Sequence, residues 1–481
     1  MSNEVIILSI ILVPVCGAFV LPLLGRISLN LRNLAALCFV GFSLFFSLKL
    51  IPLVLAGGTV LISHQFFLGL NFVLRADALA VFMACVSSLI SAVIIFYSFG
   101  YISHYKDQNE YYLMVVLFLG AMMGLVFSAN LILLYIFWEI TAITSWRLIG
   151  FFREKTHVLK ADKSFLVTVF GSLCMLIGFL MLYQNCGSFD FASVKVSLKV
   201  TPISNLAVLL ILVGIFSKSA TLPFHTWLPD AGVAPSPVTA LLHAAVLVKI
   251  GVYVFARLFI ATFSLPQIWH SWVPIIAFAS AFVAAGAALV ETDLKRIIAF
   301  STISQIGFIF FGFAIGNQTA VLGSLLFILM HGLAKAGLFL CAGIVEQNTK
   351  TKDITKMGGL VKTMPITAAA FLACAFSVMG IPPFGGFFSK YLVFAGAIEA
   401  GQLWISLAFL VAAVITILYL FRLFNLVFLG EAKISGIKES SPTMIVSVAS
   451  LGLLSLLGGV FICYPAAFAK FCTLQMLGII R

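Results

Sequence analysis

Charge is what this sequence has least of. Only 9% of its 481 residues are Asp, Glu, Lys or Arg, while 62% are hydrophobic. Soluble domains carry roughly 25% charged residues. That balance excludes a water-exposed globular protein and indicates a polytopic helical membrane protein. Strict apolar/polar alternation is also missing. The apolar runs are long and unbroken, which excludes an outer-membrane barrel. Cysteine is present, but its nine residues are scattered singly. No C-x-x-C and no close Cys/His group occurs, which argues against zinc or an iron–sulfur cluster. There is no P-loop and no G-x-G-x-x-G, nor the acidic D-D-x-x-D cluster that a membrane transferase would use to hold magnesium. No cofactor and no metal are expected, and nothing points to covalent or redox catalysis.

Basic residues outnumber acidic ones, 28 against 16, for a net charge of +12. They fall in short loops between apolar segments, where membrane proteins keep them for orientation. A nucleic-acid partner is therefore not expected; the partner is the lipid bilayer. The start, MSNEVIILSIILVPVCGAFVLPLLG, lacks a basic n-region and an A-x-A-like site. It reads as a first spanning helix rather than a cleaved signal.

A spanning helix needs about 20 apolar residues, and by that measure about 14 segments are present. Their approximate spans are 4–24, 33–55, 78–101, 111–128, 130–150, 163–184, 204–222, 236–262, 271–290, 295–315, 319–345, 365–398, 402–429 and 443–464. GIPPFGGFF interrupts the twelfth, and residues 465–481 are expected to form a short tail along the interface. Loops after odd-numbered segments carry most of the basic residues, among them Arg26, Lys106, Arg153, Lys350 and Lys433. Loops after even-numbered segments carry Arg75, Lys195 and Lys199. The positive-inside rule then puts both termini on the non-cytoplasmic side.

Against this apolar background, ionisable residues inside the segments stand out. A charge at the bilayer centre costs on the order of 3 kcal/mol by insertion scales. Glu139 lies mid-segment in LILLYIFWEITAITSW. Lys218 lies beside the Leu222–Pro223 break, where proline frees a carbonyl one turn earlier. Irregular backbone at membrane depth needs protein or a watery cavity beside it. If close, Glu139 and Lys218 would form a pair whose opening or closure shifts a proton affinity. A lysine serving only the freed carbonyls is the plainer alternative.

His243 and Lys249 share one segment, six residues apart. On an α-helix six residues turn about 600°, so they lie on different faces. His331 and Lys335, four apart, share one face. Lys390 follows GIPPFGGFFS. Each histidine suits a structural hydrogen bond as well as proton transfer, and His225 at the break reads equally as a loop residue. Lys295, Arg296, Arg147 and Arg153 read as ordinary loop anchors. Two broken segments, each near another that holds a His and a Lys, hint at an inverted repeat.

The run KSATLPFHTWLPDAGVAPSPVTALLHAAVLVKIGVY resembles the signature of the antiporter-like membrane subunits of respiratory complex I. Mrp-type cation/proton antiporter subunits and the membrane arms of energy-converting hydrogenases share that signature. LLYIFWEI, ETDLKRIIAFSTISQIG, HGLAKAGLFLCAGIV and GIPPFGGFFSK match further motifs in order, and the likeness covers roughly 75–430. It implies an all-α polytopic membrane protein of 14 helices with two inverted five-helix repeats and broken helices 7 and 12. Helices 1–3 would then occupy 1–110, the repeats 111–262 and 263–430, and a last helix with a short tail 431–481. It also implies a mid-membrane proton path. In that path Glu139 and Lys218 form the coupled pair, Lys249 connects, His331 and Lys335 line the second half, and Lys390 is the exit lysine. His243 belongs to the same set. Arg147 departs from the pattern, since relatives usually have an apolar residue there.

The function implied is proton translocation within a multi-subunit, redox-driven ion pump of a prokaryotic cell membrane. The alternative is a subunit of an Mrp-type sodium/proton antiporter, and more remotely a solute permease. The partners implied are other membrane subunits, protons and possibly sodium.

Overall fold

The computed structural model describes residues 2–65, 71–434 and 436–480. Within them the chain is helical apart from one antiparallel hairpin. α1 (Asn3–Ile27) and α2 (Leu29–Leu55) lie side by side. The hairpin, β1 (Val60–Gln65) with β2 (Asn71–Ala76), follows. Next come α3 (Ala78–Tyr101), α4 (Gln108–Phe127), α5 (Leu131–Ile149), α6 (Lys155–Cys186) and the short α7 (Phe191–Ser197). α8 (Asn205–Lys218) stops at Lys218, and the chain resumes as α9 (Trp227–Asp230) after an irregular stretch. The next segment is composite. α10 (Ser236–Ala240) runs into a π-helical turn at Leu241–Ala245, then α11 (Leu247–Ala256), then a second π turn at Arg257–Thr262.

The later half contains α12 (Gln267–Val290), α13 (Leu294–Ile315) and α14 (Gln318–Thr349). A second interrupted pair follows, α15 (Pro365–Met379) and α16 (Gly385–Glu399). The chain ends with α17 (Leu403–Phe428), α18 (Pro442–Val460) and α19 (Cys463–Met476). Among the described residues, twelve helices are long and apolar enough to cross a membrane, counting Ser236–Thr262 as one. α8 and α15 are shorter apolar helices.

The composite segment, α13 and α14 are buried almost all round and form the centre. Outer helices leave large apolar side chains uncovered, such as Phe19, Leu166 and Trp404. In lipid that outward face is the stable one, because every helical backbone group is already bonded within its segment.

Both interruptions coincide with proline. Leu222–Pro223 and Pro382–Pro383 are cis peptides. The freed backbone groups find new partners: Trp227 Nε1 donates to Ser217 O at 2.9 Å, and Leu222 N donates to Ser280 Oγ at 3.3 Å. Gly386 lets α16 approach the end of α15, since a Cβ there would lie 1.8 Å from Ser377 O.

Three features differ from the reading of sequence alone. The hairpin and α7 are short and carry little apolar periodicity, so no spanning pattern marks them. The π turns change the register within 236–262, so the relation of His243 to Lys249 is not that of a regular α-helix. Residues 463–476 form a docked helix: α19 buries Ala469, Cys472, Thr473 and Met476 against α3 and α14.

A buried ion pair ties the hairpin and α3 to the second π turn. Asp77 accepts from Arg257 at 2.5 and 2.8 Å, and Arg257 Nε donates to Tyr253 Oη at 2.9 Å. Burial by itself would raise the Asp77 pKa. The guanidinium of Arg257, with Arg75 and the Ala80 N–H, outweighs it and lowers the value to about 2 from an ordinary 3.8. The pair's stabilisation is therefore present above the unfolded pKa and is lost as pH falls toward the folded one. Thermal unfolding of the detergent-solubilised protein should show a stability drop between about pH 4 and pH 2. Asp77→Asn should remove that pH dependence and cost about 3–5 kcal/mol, because Arg257 is left buried and uncompensated. An unchanged melting temperature in Asp77→Asn would contradict this.

Candidate functional site

The ionisable residues singled out for the proton path come from five helical segments and fall into two groups. The first lies between α5 and the end of α8. Lys218 is fully buried, and its Nζ donates to Trp138 O at 3.2 Å while sitting 5.3 Å from the Trp138 ring centroid. Carbonyl and ring face together suit an ammonium withdrawn from water. Glu139, the next residue, is within electrostatic reach of Lys218. It is half-buried, and its Oε1 is buried without a hydrogen-bond partner. The expected acid–lysine pair is thus adjacent, with Trp138 holding the lysine in place of a direct carboxylate contact.

The second group centres on a contact between α11 and α14. Lys249 Nζ meets His331 Nδ1 at 2.8 Å across α11 and α14. An ammonium has only donors. When Lys249 is charged, His331 Nδ1 accepts and its ring proton sits on Nε2, which is buried without a partner. Lys335, one turn along α14, donates to Ser301 Oγ at 2.6 Å and to Ile298 O at 3.2 Å on α13. Tyr419 of α17 donates to the same Ser301 Oγ at 2.6 Å. Lys390 donates to Val378 O at 2.7 Å and lies 4.9 Å from the Phe308 ring centroid. Val378 is at the end of α15, so Lys390 caps the carbonyls freed by the second break. That is the role the sequence suggested as the plain alternative for Lys218.

His243 sits in the first π turn with its ring 4.3 Å from that of Phe339, and neither nitrogen has a partner. π turns of this kind are often found at functional sites. His331 is within electrostatic reach of Lys249, Lys335, His243 and Lys390. None of these four brings a carboxylate.

The two groups approach where α11 crosses the end of α8. Gly251 permits that crossing, because a Cβ would lie 2.0 Å from Ser219 Oγ. Buried polar atoms without partners collect beside the lysines: Glu139 Oε1, both His243 nitrogens, His331 Nε2, Gln305 Oε1 and Thr221 Oγ1. Each costs about 1–3 kcal/mol unless something hydrogen-bonds to it. Hydrogen-bonded water at these atoms would remove that cost.

Two anchors behave differently from expectation. Lys295 is only 2% exposed. It pairs with Glu346 at 2.6 Å and donates to Ala234 O at 3.1 Å. It is a buried partner of α14 rather than a loop anchor. Glu346, which also contacts Lys352 at 3.2 Å and Ser236 Oγ at 3.4 Å, escaped the sequence reading. Its signal was the stripe His331, Lys335, Phe339, Gly343, Glu346, spaced to share one face of α14. Arg147 donates to Glu110, and Arg153 joins the same carboxylate at 2.7 Å, which accounts for a basic residue at that position. His225 lies in the stretch between α8 and α9, half-buried, with its Nδ1 unpartnered.

Residues 128–416 match the family described as NADH:quinone oxidoreductase/Mrp antiporter, transmembrane region. Residues 65–112 match the N-terminus of complex I chain 5. The chain is 35% identical over 428 residues to the A subunit of the Na(+)/H(+) antiporter of Alkalihalophilus pseudofirmus, covering 82% of this chain and 53% of that protein. It is 33% identical over 485 residues to the A1 subunit of the Na(+)/H(+) antiporter of Staphylococcus aureus, covering 94% and 60%. The chain thus spans little more than half the length of these relatives. Among solved structures, a chain of the Mrp complex from a Dietzia species superposes with TM-score 0.90 at 21% identity, covering 99% of this chain and 98% of that one. A chain of an archaeal membrane-bound sulfane sulfur reductase does so with TM-score 0.90 at 23% identity, covering 98% and 97%. Both share the fold described above. The chain is an integral membrane protein and belongs to the NADH:quinone oxidoreductase/Mrp antiporter family of membrane subunits.

Proposed function

We propose that this chain moves protons along a mid-membrane file running from Glu139 and Lys218 through Lys249, His331, His243 and Lys335 to Lys390. The observation that carries the reading is the Lys249–His331 contact at 2.8 Å, buried at the centre of the chain. A neutral imidazole there accepts from an ammonium on one nitrogen and can release a proton from the other. Glu139 is the one carboxylate of the set, and its charge biases Lys218. A change in that bias, transmitted by a neighbouring protein of the assembly, shifts the lysine's proton affinity and with it the next group's. The unpartnered atoms beside the lysines support a hydrated route.

In this reading the α8–α9 and α15–α16 pairs complete fourteen crossings. Helices 4–8 and 9–13 form two inverted repeats over 111–262 and 263–430, with 1–110 and 431–481 flanking them. Both termini face the non-cytoplasmic side of a prokaryotic cell membrane. The chain works beside other membrane subunits. The Na(+)/H(+) antiporter relatives favour an Mrp-type cation/proton antiporter assembly. The family's other branch supports a redox-driven pump. Proton flux that needs sodium and no electron donor is expected for the first, and flux that needs a donor for the second; the purified assembly in proteoliposomes distinguishes them.

Lys218→Ala and Glu139→Ala should each abolish proton flux in such proteoliposomes while leaving membrane insertion intact. Wild-type flux in both variants would defeat the proposal. Ser301→Ala should cost about 1–2 kcal/mol in stability, because it strips a hydrogen-bond partner from both Lys335 and Tyr419. It should also slow flux, with Ser301→Thr restoring it. Slowed flux that Thr does not restore would assign Ser301 a packing role only.

A further inference from the structure

The loops after even-numbered segments carry three basic residues, Arg75, Lys195 and Lys199. The fold brings all three to one place. Arg75 and Lys195 line a cavity of about 70 Å³ together with Asp77, Arg257 and Gln475. Lys195 and Lys199 line an adjoining groove of about 530 Å³ whose walls include Ile203, Ile260, Phe263 and Leu265. On a chain this poor in charge, such convergence on the basic-poor face is not what orientation signals produce.

The donors in the cavity outnumber its acceptors. Its one carboxylate, Asp77, is already held by Arg257 at 2.5 and 2.8 Å. Lys195 Nζ donates to Ala261 O at 2.9 Å, and an ammonium has three donors. Gln475 Oε1 accepts from Ala78 N at 2.9 Å. That fixes the amide so that its Nε2 is buried without a partner among the described residues. Arg75 also reaches Asp77 at 3.5 Å, but it, Lys195, Lys199 and this amide all keep donors free for a ligand that is anionic and rich in acceptor oxygens.

We propose that this depression binds an anionic phospholipid, its phosphate beside Arg75, Lys195 and Gln475 and its acyl chains along the groove. The apolar groove separates this ligand from free phosphate. Val196 and Val200 beside the two lysines point outward, 67% and 85% exposed, as on an amphipathic segment lying in the membrane interface. A lipid here would bridge α7, the second π turn and α19. It would thereby brace the end of the segment that carries His243 and Lys249. The proposal does not depend on the transport reading.

The test is native mass spectrometry of the full chain in its membrane assembly, titrated with phosphatidylglycerol, with phosphatidylcholine and with inorganic phosphate. Wild type should retain phosphatidylglycerol in preference to phosphatidylcholine. A Lys195→Gln/Lys199→Gln variant, altered only at exposed positions, should bind it about 30-fold more weakly, at roughly 1 kcal/mol per basic residue near a membrane surface. Gln475→Leu should weaken it further, with the melting temperature in lipid-free detergent unchanged for the lysine variant. Equal retention of both lipids, unaltered binding in the lysine variant, or full displacement by millimolar phosphate would each overturn the lipid assignment.

Discussion

An ammonium group held away from water must find oxygen atoms or aromatic faces, and in this chain a broken helix supplies them to Lys390 while neighbouring helices supply them to Lys218 and Lys335. A regular helix keeps its carbonyls for itself. When a segment stops inside the membrane, its last turn offers unpaired carbonyls. The end of α15 gives Val378 O to Lys390. The end of α8 carries Lys218, which crosses to Trp138 O on α5. The rest of the site follows from this requirement. The π turn beside His243, the serine shared by Lys335 and Tyr419, and the glycines where helices meet all let polar atoms come together in a bundle whose outer surface is apolar.

The same requirement explains the scarcity of acid near these lysines. Carboxylates would hold the lysines in fixed ion pairs. The described structure keeps its strong pairs elsewhere, at Asp77–Arg257, Glu346–Lys295, Asp230–Arg296 and Glu110–Arg147. Those pairs rim the bundle or pin helix ends. In the middle, lysines rest on neutral carbonyls, hydroxyls, rings and an imidazole, whose hold on a proton is easier to change.

Much of this was legible in the sequence. Long apolar runs, loop charge and prolines inside apolar segments marked membrane class, helix spans and breaks. The ionisable residues were visible because lipid makes each one conspicuous. What was not legible depends on contacts between distant segments or on backbone pattern. Trp138 as the lysine's support looks like any core tryptophan. Lys295 reads as an anchor until the fold delivers Glu346 to it. A π turn changes hydrogen-bond register without changing composition, so the setting of His243 left no trace in LLHAAVLVKIG. The hairpin and α7 are too short for periodicity to declare them.

The central claim is that these titratable groups share one wet corridor. An electron cryomicroscopy map of the assembly in lipid, sharp enough to show ordered water, tests it most directly. The account predicts water hydrogen-bonded to Glu139 Oε1, to the His243 nitrogens and to His331 Nε2, forming a file that continues toward Lys335 and Lys390. Dry side-chain packing around each of those atoms, with no water between Lys218 and Lys390, would contradict it.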